Sequence, residues 1–164
     1  MKKHEEYMEL ALEEARKAEE IDEVPVGCVI VCDGEVISRG HNLKEQLNQA
    51  YAHAEMIAIQ KAAEVKGNWC LNDCDLYVTL EPCMMCTGII NLSRIRTVYY
   101  GTTDPKGGCL ETIIDLKKIN RLNHYPNIVG NILQKECSEI LTNYFRKKRE
   151  IIKEKKQKNK ANIQ

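Results

Sequence analysis

The 164-residue chain contains no run of about 18 apolar residues, which excludes a helix of membrane-spanning length. Its opening, Met1-Lys2-Lys3-His4-Glu5-Glu6, lacks the apolar stretch and small-residue cleavage site of a secretory signal, so a cytoplasmic location is expected. Internal repeats and low-complexity linkers are absent too, which points to one domain. Net charge is missing: 24 Lys and Arg balance 24 Asp and Glu. That balance conceals an asymmetry. The first helical segment is acidic (Glu5, Glu6, Glu9, Glu13, Glu14), whereas the last is basic, from Arg146-Lys147-Lys148-Arg149 to Lys160. A basic helix suits a polyanionic partner; the plainer reading is a solvated, frayed tail. The domain is expected over residues 1–155, and a basic, disordered tail over 156–164.

What the chain does have is cysteine, eight in all. Without a secretory signal these read as reduced thiols or metal ligands rather than disulfides. Hydrophobic spacing predicts a helix over Tyr7–Glu20, then a hairpin of two strands, Val26–Val31 and Val36–Arg39, around an Asp33-Gly34 turn. A helix follows from about Ala52 to Val65 and ends at Gly67-Asn68. Further on come a strand over Leu76–Leu80, a short helix over Cys83–Leu92, a strand over Val98–Tyr100 and a Pro/Gly loop over Asp104–Gly108. A last strand spans Asn127–Gly130. The final helix runs from Gln134 to about Lys155, with Cys137, Ile140, Leu141, Tyr144 and Ile151 facing inward. Strands alternating with helices make an α/β layered fold.

Two segments carry chemistry. His53-Ala54-Glu55 opens a predicted helix, and Pro82-Cys83-Met84-Met85-Cys86 joins a strand to a helix. One imidazole and two thiolates are a good zinc donor set. Three protein ligands leave the fourth position for water, as catalytic rather than structural sites do. A helix start also stabilises thiolates through its free N–H groups. A lone Cys-x-x-Cys could instead be a redox pair, or half of a structural zinc site completed by Cys70 or Cys74. Either alternative leaves Glu55 without a role. With zinc on His53, Cys83 and Cys86, the other six, Cys28, Cys32, Cys70, Cys74, Cys109 and Cys137, read as small apolar packing residues. Zinc brings water within reach of ionisation near neutral pH, and Glu55, as a non-ligand, is placed to move protons.

His-x-Glu followed by Pro-Cys-x-x-Cys matches the zinc-deaminase signature. The wider sequence resembles the bacterial tRNA-specific adenosine deaminase family. The matching stretches include Glu23-Val24-Pro25-Val26-Gly27, Gly40-His41-Asn42, Ala52-His53-Ala54-Glu55 and Tyr77-Val78-Thr79-Leu80-Glu81-Pro82-Cys83-Met84-Met85-Cys86. Ser93-Arg94-Ile95, Asp104-Pro105-Lys106-Gly107-Gly108, Asn123-His124 and Tyr144-Phe145-Arg146 extend the likeness over most of the chain. The resemblance implies a three-layer α/β/α sandwich around a central mixed five-stranded sheet, cytidine-deaminase-like. It also implies a homodimer with one zinc per subunit, held by His53, Cys83 and Cys86, with Glu55 as the proton shuttle. The implied reaction is hydrolytic conversion of the wobble adenosine of an arginine tRNA to inosine, in the anticodon stem-loop. Val26, Asn42 and Ala54 would line the base pocket. Asp104, Lys106, Asn123 and His124 would meet RNA backbone and sugars. Phe145 would stack on a neighbouring nucleotide, with Arg146 and Arg149 on phosphates. Ala50-Tyr51 replaces a Pro-Thr pair found in many relatives, which would place Tyr51 at the pocket rim. Two other readings share parts of the signature: a guanine or cytosine deaminase acting on free bases or nucleotides, and a structural zinc module that binds RNA without catalysis.

Overall fold

The computed structural model describes residues 1–163. Helix α1 (Lys2–Glu20) precedes the hairpin of β1 (Gly27–Cys32) and β2 (Glu35–His41). All six residues of β1 are buried. A strand with both faces apolar needs a layer on each side, and both are present. Cys28, Ile30 and Cys32 face a cluster with Ala54, Ala58 and Ile90, while Val29 and Val31 face Met8, Ala11 and Leu12. The first layer holds α3 (Ala54–Lys66) and α4 (Met84–Leu92). The second holds α1 and α5 (Gln134–Ala161), which brings in Cys137 and Ile140.

Between the layers, the described residues form one five-stranded sheet in the order β2-β1-β3-β4-β5. β3 is Cys74–Leu80, β4 Thr97–Thr102 and β5 Asn127–Val129. β1 is antiparallel to both its neighbours, and β3, β4 and β5 are parallel, so the sheet is mixed. This is the three-layer α/β/α sandwich expected from the resemblance. The hairpin turn has the form an Asp-Gly pair favours: Asp33 and Gly34 both take positive φ, 50° and 81°. Gly27 lets α1 lie close on the sheet, since a Cβ there would come within 2.5 Å of the Ala15 nitrogen.

Four differences from the sequence reading have physical causes. α1 begins at Lys2 rather than Tyr7, because the His4 ring stacks on Tyr99 at 4.4 Å and hydrogen-bonds the Tyr77 hydroxyl at 2.8 Å. α2 (Lys44–Leu47) and a single 3-10 turn, Leu116–Lys118, are too short to show a hydrophobic period. The segment expected as a disordered tail is helical through Ala161, with Gln164 outside the described residues. Nothing after Gly130 is Gly or Pro, and runs of Lys, Glu and Gln favour helix. Ile151, expected inward, is exposed, because the helix has already left the sheet. Among the described residues, no helix is long and apolar enough to cross a membrane.

Candidate active site

The site forms where two helices begin at one end of the sheet. His53 precedes α3 in extended conformation, and Cys83 precedes α4 in the same way, with Cys86 in the first turn of α4. His53 Nδ1 lies 3.6 Å from Cys83 Sγ and 3.6 Å from Cys86 Sγ. A tetrahedral zinc with Zn–S near 2.3 Å and Zn–N near 2.0–2.1 Å separates N and S by about 3.6 Å. The three donor atoms all lie within 4.8 Å of one another, so the residues present fit the ion without rearrangement. Both helix N-termini direct partial positive charge at the thiols.

Electrostatics in the cluster agree with a donor set for a cation. The Cys83 thiol is held down at about 4, first by a hydrogen bond from the Cys86 thiol and then by one from His53. Cys86 is raised in turn, because it keeps the proton that the two sulfurs share and is itself buried. His53 is raised, mainly by its hydrogen bond to Cys83. Glu55 is not among the donors; it is buried, and burial pushes its carboxyl up to about 7.

A pocket of about 670 Å³ opens above this cluster. His53, Glu55 and Cys83 are part of its lining, as are Val26, Asn42, Asp104 and Phe145. A second groove of about 660 Å³ shares Val24, Leu80, Asp104 and Phe145 with it and adds Lys106 and Arg149. Most of the residues expected from the resemblance therefore converge on one continuous surface. Ala54 is fully buried and meets the site only through its backbone, whose N–H donates to Asn42 Oδ1 at 2.9 Å. Phe145 is 44% exposed, so its ring is a surface feature rather than core.

Four expected residues lie elsewhere. Asn123 is exposed and lines neither opening, and His124 is occupied with the Ile95 carbonyl at 2.6 Å. Arg146 points away from the groove and bonds Asn143 along its own helix. Tyr51 is not at the pocket rim: it lines a separate apolar groove with Leu47, Met56 and Ile89. Cys70 and Cys74 do not complete the His53 cluster; Cys74 groups with Cys32 instead.

Other features could not be read from residue order. Asn42 acts as a cap borrowed from outside the helix: it accepts from Ala54, and its Nδ2 donates to the Val24 carbonyl at 3.1 Å. Gly40, two residues earlier, permits this approach, since a Cβ there would lie 2.5 Å from the Ala54 carbonyl oxygen. Buried Glu81 accepts from the N–H groups of Leu110, Glu111 and Thr112 through one oxygen, and from Asp104 N–H and the Thr112 hydroxyl through the other. That carboxylate holds the loop that carries Asp104 and Lys106. Lys148, read as part of the basic cluster, is paired with Asp22 at 2.6 Å, and the Tyr144 hydroxyl donates to the same residue, fastening α5 to the end of α1. The sequence signals for Glu81 were its place in the matched stretch and an acidic residue directly after a buried strand, beside the Pro-Cys motif.

Residues 1–102 match the family model described as the cytidine and deoxycytidylate deaminase zinc-binding region. The chain is 48% identical over 143 residues to the tRNA-specific adenosine deaminase of Bacillus subtilis, covering 87% of this chain and 89% of that one. It is 48% identical to the enzyme of the same name from Agrobacterium fabrum, covering 87% and 94%. A solved chain from studies of A-to-I editing by tRNA:A34 deaminases at the wobble position superposes with a TM-score of 0.80. It has 47% identity, and the match covers 83% of this chain and 99% of that one.

Proposed function

This chain belongs to the cytidine and deoxycytidylate deaminase family and, within it, to the tRNA-specific adenosine deaminases, and from that premise we propose that it converts the wobble adenosine of an arginine tRNA to inosine. The observation that carries the reading is the tetrahedral-edge spacing of His53, Cys83 and Cys86 beside buried Glu55, at the base of a pocket bordered by Phe145. His53, Cys83 and Cys86 would hold one zinc per subunit. Zinc, when bound, supplies a Lewis acid and makes water a competent nucleophile near neutral pH.

The chain's own residues do the rest. Hydrolysis forms a carbon–oxygen bond at the carbon bearing the amine and breaks its bond to nitrogen, releasing ammonia. Two protons leave the attacking water; one ends on the ring nitrogen and one on the departing amine. Glu55 is the shuttle for both, as a carboxyl that is within the pocket lining yet screened from bulk water. Asn42, capped against Ala54, retains one Nδ2 hydrogen and a lone pair on Oδ1 with which to orient the purine. Val26 packs against the base. Because the site lies at the bottom of a pocket, the nucleotide must leave its stack to reach it, which an anticodon loop permits at low cost. Phe145 then offers a stacking face to a neighbouring base, and Lys106 and Arg149 offer charge to the backbone along the groove. The enzyme would work in the cytoplasm, where its substrate is.

The test uses total tRNA, read by sequencing for A-to-I changes. The wild-type protein is expected to edit position 34 of one arginine tRNA. Glu55→Gln should lose about 10²–10⁴-fold in turnover while keeping zinc and tRNA affinity. Cys83→Ser should lose zinc and turnover together. Editing by Glu55→Gln at the wild-type rate would remove the shuttle role. Efficient turnover of free guanine or cytosine, with tRNA left unedited, would replace the substrate assignment.

A further inference from the structure

At the end of the sheet remote from the pocket, β1 stops at Cys32 and β3 starts at Cys74. The antiparallel register sets these two cysteines directly opposite each other. Asp73 stands beside them. The Cys32 thiol donates to Asp73 Oδ2 at 3.4 Å, and the Cys74 thiol donates to Asp73 Oδ1 at 3.4 Å. The two sulfurs and a carboxylate oxygen all lie within 4.8 Å of one another, which is the compactness also found for His53, Cys83 and Cys86. Lys66, the last residue of α3, pairs with Asp73 and lies 3.5 Å from Cys32 Sγ. The length of β3, roughly 20 Å at about 3.3 Å per residue, separates this cluster from the pocket.

We propose that Cys32, Asp73 and Cys74 form a second metal site, selective for a thiophilic divalent cation of the zinc and cadmium class, with Lys66 as its charge partner. Two thiolates and a carboxylate match a borderline-soft ion and do not suit magnesium or calcium. The edges come close: sulfur and oxygen around a tetrahedral zinc are about 3.5–3.6 Å apart, and each sulfur already lies 3.4 Å from one of the two Asp73 oxygens. Charge fits as well. The cluster now holds two neutral thiols, the Asp73 carboxylate and the Lys66 ammonium, which sum to zero. A divalent ion entering releases two thiol protons to water, and the sum is again zero. The ammonium then offsets the net negative charge of the ion with its three anionic donors. No oxidant or reductant is involved. Cys32 and Cys74 are buried, so the ion would rest against the protein, while the Asp73 side chain is 42% exposed and leaves the outer position to water.

Full-length protein, purified with reductant and zinc-loaded, is titrated with cadmium alone and followed by the ultraviolet thiolate-to-metal charge-transfer band. Metal per chain is counted by elemental analysis after desalting. We expect two divalent ions per chain, falling to one in Cys74→Ser and in Asp73→Asn, with deaminase turnover unchanged in both. Asp73 lies at the surface, so its variant keeps the test valid if Cys74→Ser fails to fold. One ion per chain at saturating metal overturns the site. So does a second ion that survives in a folded Asp73→Asn or Cys74→Ser protein. A Cys32–Cys74 disulfide in protein prepared without reductant, with no second ion in the reduced protein, would make the pair a redox couple and also overturn it.

Discussion

Glu81 shows how one buried side chain can hold the loop that walls a pocket. Burial alone would raise its carboxyl, but the Thr112 hydroxyl and the backbone N–H groups of Glu111, Asp104 and Thr112 outweigh that and hold it below the usual 4.5. A carboxyl depressed in the folded state contributes stability that is complete above its unfolded pKa and is lost as pH falls through its folded one. Glu81→Gln removes the charge and turns an amide toward N–H donors. The gap in melting temperature between wild type and Glu81→Gln should therefore be wide at pH 7 and should shrink progressively as pH falls below about 4.5. Melting curves from pH 7 to pH 3 check this, and a gap independent of pH would mean that the charge is not what holds the loop. Gly108 belongs to the same arrangement, since a Cβ there would collide with the Glu81 carboxylate.

At the scale of elements, α5 joins two jobs along one helix. Its first half packs Cys137 and Tyr144 onto the molecule, and beyond Arg149 it continues as an exposed basic rod. The pairing of Lys148 with Asp22 sets the helix rotation that turns Phe145 and Arg149 toward the groove and Arg146 away from it. The two arginines should consequently behave differently, although sequence makes them equivalent. Arg149→Ala should weaken tRNA binding and lower the slope of log K against log salt by about 0.7–0.9, whereas Arg146→Ala should leave the slope near its wild-type value. Phe145→Ala should cost about 1–3 kcal/mol of binding with no change in slope, since no charge is removed. Its melting temperature should barely move, because the ring is half exposed. Binding isotherms over a salt series separate the three; equal slopes for the two arginine variants would show that the groove does not guide the RNA backbone.

For the whole molecule, the exposed apolar side chains are unevenly distributed. Met84 and Leu92 on α4 are 66% and 64% exposed, and with Ile119 and Leu122 they line one apolar depression. We propose this face as the homodimer interface. It adjoins the segment bearing Asn123 and His124, which this proposal would put at the subunit boundary rather than in the groove of their own chain. Covering a large apolar side chain contributes about 1.5–3 kcal/mol, so a single charge introduced there should weigh heavily. Leu92→Lys is expected to sediment as a monomer at concentrations where the wild type is a dimer, with zinc content unaltered. A dimer of unchanged strength would assign the contact to another face.

The meeting of His53, Cys83 and Cys86, the place of Glu55 at a helix start and the α/β class were legible because local rules suffice for them. Cys-x-x-Cys at a helix start, His-x-Glu at another, and strands alternating with helices are patterns of adjacent residues, and their geometry follows from helix and strand periods. The loop-to-helix cap of Asn42, the clamp of Glu81 and the anchoring of Lys148 on Asp22 join residues 12, 23–31 and 126 positions apart. No period relates such pairs; only the packing of layers brings them within bonding distance. Cys32 and Cys74 illustrate the division most clearly. In the sequence they are two small apolar residues among eight cysteines. Pairing of β1 with β3 makes them neighbours, because strand register couples positions that the chain itself keeps apart. Local chemistry was thus written in residue order, while every property that depends on register or helix rotation was decided by the tertiary structure.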